Sequence, residues 1–147
     1  VNLNRLTLGG RIVAIAGLLL FVDSLLPWFR FCLDFGAGKA CASHNGWNNV
    51  LTLLATLLAI ALVVEIVLEV AGRSAPTVGA LSWAQVQLGV GAVVALFVLL
   101  QVIIGDDGAP RYIGAYIGLV LAAGLVYGTY LRYREPAAQP FRPGSAA

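Results

Sequence analysis

The sequence predicts an all-α membrane protein: a four-transmembrane-helix antiparallel bundle with both termini cytoplasmic. Three observations lead there. Of 147 residues, 60% are hydrophobic and 11% charged, against roughly 45–50% and about 25% in soluble domains. Four stretches of about twenty largely apolar residues, the length a helix needs to cross hydrocarbon, stand between polar punctuation. The links between them are mostly short, which favours antiparallel neighbours. Such a chain lacks the polar surface to cover itself in water, so lipid is the expected solvent for most of it.

The first span is placed at about 8–28. Arg5 and Arg11 precede an apolar stretch from Ile12 to Val22, as in a signal peptide, but Asp23-Ser24-Leu25-Leu26-Pro27-Trp28 follows in place of a small-x-small cleavage site. A lipobox is also missing before Cys41. The segment is therefore expected to be a retained helix and the chain essentially complete. Asp23 lies about 7 Å, five residues at 1.5 Å each, below the expected interface at Trp28. An ionisable group in hydrocarbon costs about 2.5–3.5 kcal/mol at mid-span. Its candidate partners are Arg111, Gln101 and Thr52; the expected role is a structural pin, the alternative a proton or cation site.

A loop of about twenty residues follows, and its Cys32 and Cys41 are expected to form a disulfide in an oxidising compartment. Gly36 and Gly38 give the intervening chain room to close. Cys32, Cys41, His44 and Asp34 do not have a recognised zinc spacing, so no metal is expected. No C-x-x-C redox pair is present, and Gly36-Ala37-Gly38-Lys39-Ala40 lacks the remainder of a phosphate loop. No cofactor is expected either.

The second span, about 50–70, carries Glu65 and Glu69 on one face near its end. Two carboxylates at the negative end of a helix dipole call for cations. Arg11, Arg73 and Arg132 lie at matching depth, Gln85 and Gln87 offer hydrogen bonds, and a Glu65–Arg11 pair is the expected tie. The third span, about 81–104, brings Gly91 and Ala95. The fourth, about 112–131, carries Gly114, Gly118 and Ala122 at four-residue spacing and Gly124 and Gly128 on a second stripe. Small residues at this spacing let helices approach closely; packing within the monomer is expected, with contact to another subunit or a lipid tail as the alternative. Residues 1–131 thus form the transmembrane domain. Residues 132–147, with three prolines and no apolar periodicity, read as a mostly disordered cytoplasmic tail.

Arg5, Arg11, Arg73, Arg132, Arg134 and Arg142 gather on one predicted side, and Arg30, Lys39 and Arg111 on the other. The positive-inside rule makes the first side cytoplasmic. Trp28 and Trp47 would form an outer aromatic belt, Trp83, Tyr130 and Tyr133 an inner one. A net charge of +2 without a basic run excludes nucleic acid as a natural partner. Among cations all but Lys39 are Arg, and Ala, Gly and Val are abundant, the codon bias of a high-GC bacterium; the expected location is the bacterial plasma membrane.

The segments Gly9-Gly10-Arg11-Ile12-Val13-Ala14-Ile15-Ala16-Gly17, Phe21-Val22-Asp23-Ser24-Leu25-Leu26-Pro27-Trp28 and Tyr112-Ile113-Gly114-Ala115-Tyr116-Ile117-Gly118-Leu119 through Tyr127-Gly128-Thr129-Tyr130-Leu131 resemble small four-span integral membrane proteins common in actinobacteria. The resemblance implies a family of unassigned activity with no catalytic residues to carry over. The functional expectation is a non-enzymatic accessory or scaffolding subunit, bound to other membrane subunits or to copies of itself. The alternative is a small carrier or channel for a hydrophobic molecule or ion, with Asp23 as its selective group.

Overall fold

A computed structural model describes residues 6–73, 79–106 and 108–135. The order of elements is α1 (Leu8–Ser24), β1 (Pro27–Asp34), β2 (Lys39–Asn45), a 3-10 turn (Gly46–Asn48), α2 (Val50–Val70), α3 (Trp83–Ile104) and α4 (Ile113–Arg134). Each boundary has a local cause. The Thr7 hydroxyl accepts from Gly10 N at 3.3 Å and starts α1. Ser82 and Gln85 exchange side-chain and backbone hydrogen bonds in a capping box that starts α3. Gly105, at φ +78°, ends α3 in a conformation that side chains disfavour. Arg132 and Arg134 occupy the last turn of α4, where the helix dipole favours cations.

The helices form a ring in which α1 packs on α2 and α4, and α3 packs on the same two. Neighbours are antiparallel. Gly9 of α1 meets Arg132 of α4 while Gly118 meets Trp28, just past the other end of α1. The core runs through Val13, Leu20, Ala55, Ala59, Ile66, Val94, Val98, Ala122 and Leu125.

Two findings correct the all-α, four-span expectation. First, the stretch read as a loop is a two-stranded antiparallel sheet, with Phe29 opposite His44, Phe31 opposite Ala42, Cys32 opposite Cys41 and Asp34 opposite Lys39. Gly36, at φ +76°, turns the chain at its tip, where Phe35 N donates to Gly38 O at 3.0 Å. The residues taken as a flexible closure are a tight hairpin turn. Second, three helices, α2, α3 and α4, are long and apolar enough to cross a membrane. α1 stops at 17 residues, about 25 Å of helix against a hydrocarbon core of about 30 Å. Pro27 is the reason: it restricts the residue before it to extended backbone and offers no N–H to continue the helix, so the chain turns into β1 where a fourth crossing had been expected to finish. The charge count that put both termini on one side rested on four crossings and loses its basis.

The three apolar helices associate the protein with a membrane. Only 33–39% of each candidate window is buried within the protein, which leaves Leu57, Val64, Leu96 and Val120 facing outward at 41% exposure or more. α4 continues three residues into the expected tail, to Arg134. The rest of that tail from residue 136, with Arg142, and also Arg5 and Asp107, lie outside the described residues.

Candidate functional site

The hairpin is assembled from a strand pair and then fixed to the helix ends. Along β1 side chains alternate, so Phe29, Phe31 and Leu33 share one face with Ala40, Ala42 and His44 of β2, while Arg30, Cys32, Asp34, Lys39, Cys41 and Ser43 share the other. Cys32 and Cys41 are bonded, as expected from the sequence, with their Cα atoms 4.1 Å apart. That separation is typical of the non-hydrogen-bonded positions of an antiparallel ladder. It follows that the backbone N–H groups of Lys39, Cys41 and Ser43 point away from β1.

The outer edge of β1 is occupied. Arg30 N donates to Pro110 O at 3.3 Å, and Tyr112 N donates to Trp28 O at 2.8 Å, so the segment leading into α4 lies along β1. The Arg30 guanidinium sits 5.4 Å from the Tyr112 ring centre and donates to its hydroxyl at 3.2 Å. On the apolar face, His44 Nδ1 lies 2.6 Å from Asp106 Oδ2. Between them a cleft of about 250 Å³ is lined by Phe29, Phe31, Ala42, His44, Asp106 and Ala109. Among the described residues, β2 has β1 as its single ladder partner; its other edge is open.

At the base of the hairpin Trp28 is wholly buried, not an interfacial belt residue as expected. Its indole fills a slot on α4 made by two of the small residues singled out in the sequence. A Cβ added at Gly118 would lie 2.5 and 2.7 Å from indole ring atoms, and one at Gly114 would lie 2.8 Å from another. Its N–H donates to the Asp23 backbone carbonyl at 3.1 Å. The Asp23 side chain, 2% exposed, lies in the same enclosure: a Cβ at Gly118 would sit 2.8 Å from Oδ2. Neither carboxylate oxygen has a hydrogen-bond partner among the described residues.

The partners proposed for Asp23 are engaged elsewhere or unpaired themselves. Arg111 donates to the carbonyls of Val102 and, at 2.9 Å, Ile103, closing the end of α3. Gln101 Nε2 donates to Gly105 O at 3.0 Å, and the Thr52 hydroxyl is buried without a partner. Trp47, by contrast, is only partly buried. It is 38% exposed, its N–H donates to Ser24 Oγ at 2.9 Å, and its ring meets Phe21 edge-on with centroids 6.3 Å apart.

The opposite end of the ring holds the other polar cluster. Gln87, 2% exposed, donates through Nε2 to Glu65 Oε1 at 2.6 Å and accepts from Arg132 Nε at 2.8 Å. Arg132 Nη2 reaches Glu69 Oε2 at 2.5 Å. The guanidinium crosses α1 over Gly9 and Gly10, where a Cβ would approach Arg132 atoms to 2.8–2.9 Å, and Gly9 N donates to Glu135 Oε1 at 3.0 Å. The observed partner of Glu65 is thus Gln87, and the cation for Glu69 is Arg132; Gln85 is used in the α3 cap. Arg11 lies on the same turn of α1 as this cluster. Nothing in the sequence marked Glu135 as a member, since it was assigned to the tail.

The remaining small residues pack within the chain. Gly128 meets Val13 and Ile12, Gly91 meets Thr129, and Gly17 meets Val63. Ala122 is buried and Ala95 packs against the core. Gly124 has more room, with Ala16 Cβ at 3.9 Å. These stripes therefore serve the closure of the ring. No family model, curated protein or solved structure matches the chain.

Proposed function

We propose that the protein is a non-enzymatic accessory subunit of a larger membrane assembly, and that it meets its partner through the open edge of the disulfide-closed hairpin. The observation that carries this reading is the arrangement of β2. It is a seven-residue strand, fixed covalently to β1, with three outward N–H groups and no proline. Its one formal cation, Lys39, stands opposite Asp34. Exposed edge strands are templates for another strand, and proteins that avoid such pairing guard them with unpaired charges, prolines or bulges. At the opposite end Glu65, Gln87, Arg132 and Glu69 are engaged with one another, which favours a structural role for that cluster over a reaction. The disulfide favours an oxidising compartment for the hairpin. The end bearing Arg11, Arg132 and Arg134 then faces the cytoplasm of a bacterial plasma membrane.

The test is native mass spectrometry after mild extraction. A partner subunit or a second copy is expected on the wild-type protein and is expected to be lost from Ser43→Pro. That substitution removes an outward N–H and leaves the β1–β2 ladder intact. A strictly monomeric wild-type particle overturns the reading. A second reading, a carrier or channel for a small hydrophobic molecule or ion, draws on the buried, unpartnered Asp23. It requires Asp23→Asn to abolish flux in proteoliposomes while the fold persists.

A further inference from the structure

Burial fades along a single face of β1. Phe29 is 1% exposed and belongs to the core, seated beside Ala109 and Asp106. Two and four residues on, Phe31 and Leu33 project from the same side at 48% and 46% exposure, and Phe35 at the tip reaches 68%. Ala40 and Ala42 continue this face on β2, and His44, paired with Asp106, closes it at the base beside Phe29. The opposite face carries Arg30, Asp34, Lys39, Ser43 and the disulfide, a surface suited to water. The hairpin is therefore amphipathic; the α3–α4 connection runs beside its base, with Asp106 and Ala109 on the apolar side and Tyr112 against Arg30 on the other. Helix ends beside that connection already present large apolar side chains outward: Ile103 at 62%, Ile104 at 69% and Ile113 at 58%. These belong to the lipid-facing surface of α3 and α4. Phe31, Leu33 and Phe35 add exposed apolar side chains at this same end of the molecule, where β1 lies beside the start of α4.

We infer that this face rests on the membrane itself, with Phe31, Leu33 and Phe35 as anchors at the boundary between lipid headgroups and acyl chains. The chemistry fits such a boundary. Aromatic and branched apolar side chains on one side and charged groups on the other give a surface element its preferred depth. The inference rests on the membrane association of α2–α4 and is separate from the partner role of the β2 edge, which lies in the plane of the sheet between its two faces. With the apolar face on lipid, that edge stays accessible sideways.

The experiment places a photo-crosslinking phenylalanine analogue at position 31, 33 or 35, or at 39 or 43 as polar-face controls, in the full-length chain. Each purified variant is reconstituted in vesicles of phosphatidylcholine and phosphatidylglycerol. Retention of the Cys32–Cys41 bond, read by mass under non-reducing conditions, selects folded material. Illumination is expected to yield lipid adducts at 31, 33 and 35 several-fold more often than at 39 and 43. Equal yields on both faces, an absence of lipid adducts at 33 and 35, or crosslinks there to a second copy of the chain would each overturn the inference. Loss of the partner in the Ser43→Pro experiment leaves this result unaffected, so the two proposals fail separately.

Discussion

The two ends of the helix ring are held by different physics. At the hairpin end the buried ties are backbone hydrogen bonds, a disulfide and an indole in a glycine slot, with the side-chain pairs His44–Asp106 and Arg30–Tyr112 at the exposed rim. At the other end Arg132, Gln87, Glu65 and Glu69 are joined side chain to side chain. Backbone ladders and covalent bonds keep their geometry whatever the neighbouring side chain is. A side-chain network depends on every member, and removing Arg132 or Glu65 leaves the buried Gln87 short of a partner. The hairpin end is thereby suited to present a fixed surface, and the opposite end to register four helices against one another.

Five variants break or sharpen this contrast. Trp28→Ala is expected to have the largest effect, about 3–5 kcal/mol by denaturant unfolding in micelles, because it empties a fully packed slot. Gly118→Val, which fills the same slot from α4, should also destabilise; unchanged midpoints for both would show that the indole contributes nothing. At the opposite end Arg132→Met should cost about 1–3 kcal/mol, chiefly by leaving the buried Gln87 Oε1 without its donor, and hydrogen exchange should quicken around residues 65–69 and 87 while the hairpin stays protected. Replacing Cys32 and Cys41 together by Ser should lower the local opening free energy of residues 27–45 by roughly 2–3 kcal/mol. The helix midpoint should hardly move, since the bond joins no two helices. Asp23→Asn should change stability least, by about 1 kcal/mol or less, because it exchanges one unpartnered buried polar group for another of nearly the same size; a loss of about 3–5 kcal/mol would instead reveal an ion pair.

Hydropathy made the helices legible, with α2 matching its expected bounds and α3 beginning two residues later than expected. It failed at Pro27, where length alone extended α1 through a residue that ends it. The hairpin had a sequence signal too: Phe29, Phe31 and Leu33 alternate with Arg30, Cys32 and Asp34 before a glycine turn. Between long apolar spans that short period was outweighed, and the glycines were taken for slack. The disulfide was legible from spacing and compartment. Helix periodicity found the glycines on α4, but nothing in it tells which side chain fills the space they leave, and Trp28 was assigned to the interface. The polar cluster was partly legible, because depth matched Arg132 and Gln87 to the two glutamates. Asp23 was expected to find a partner at its level, but the groups there turn to helix-end carbonyls or have no partner.

The slot for Trp28 has a consequence for biosynthesis. Its walls are Gly114 and Gly118, which leave the ribosome some ninety residues after the indole they enclose, a separation that takes about 5–20 s at common elongation rates. Until then Trp28 and the neighbouring carboxylate have no home, and the ring stands open on one side. Chains truncated before α4 would carry that opening permanently.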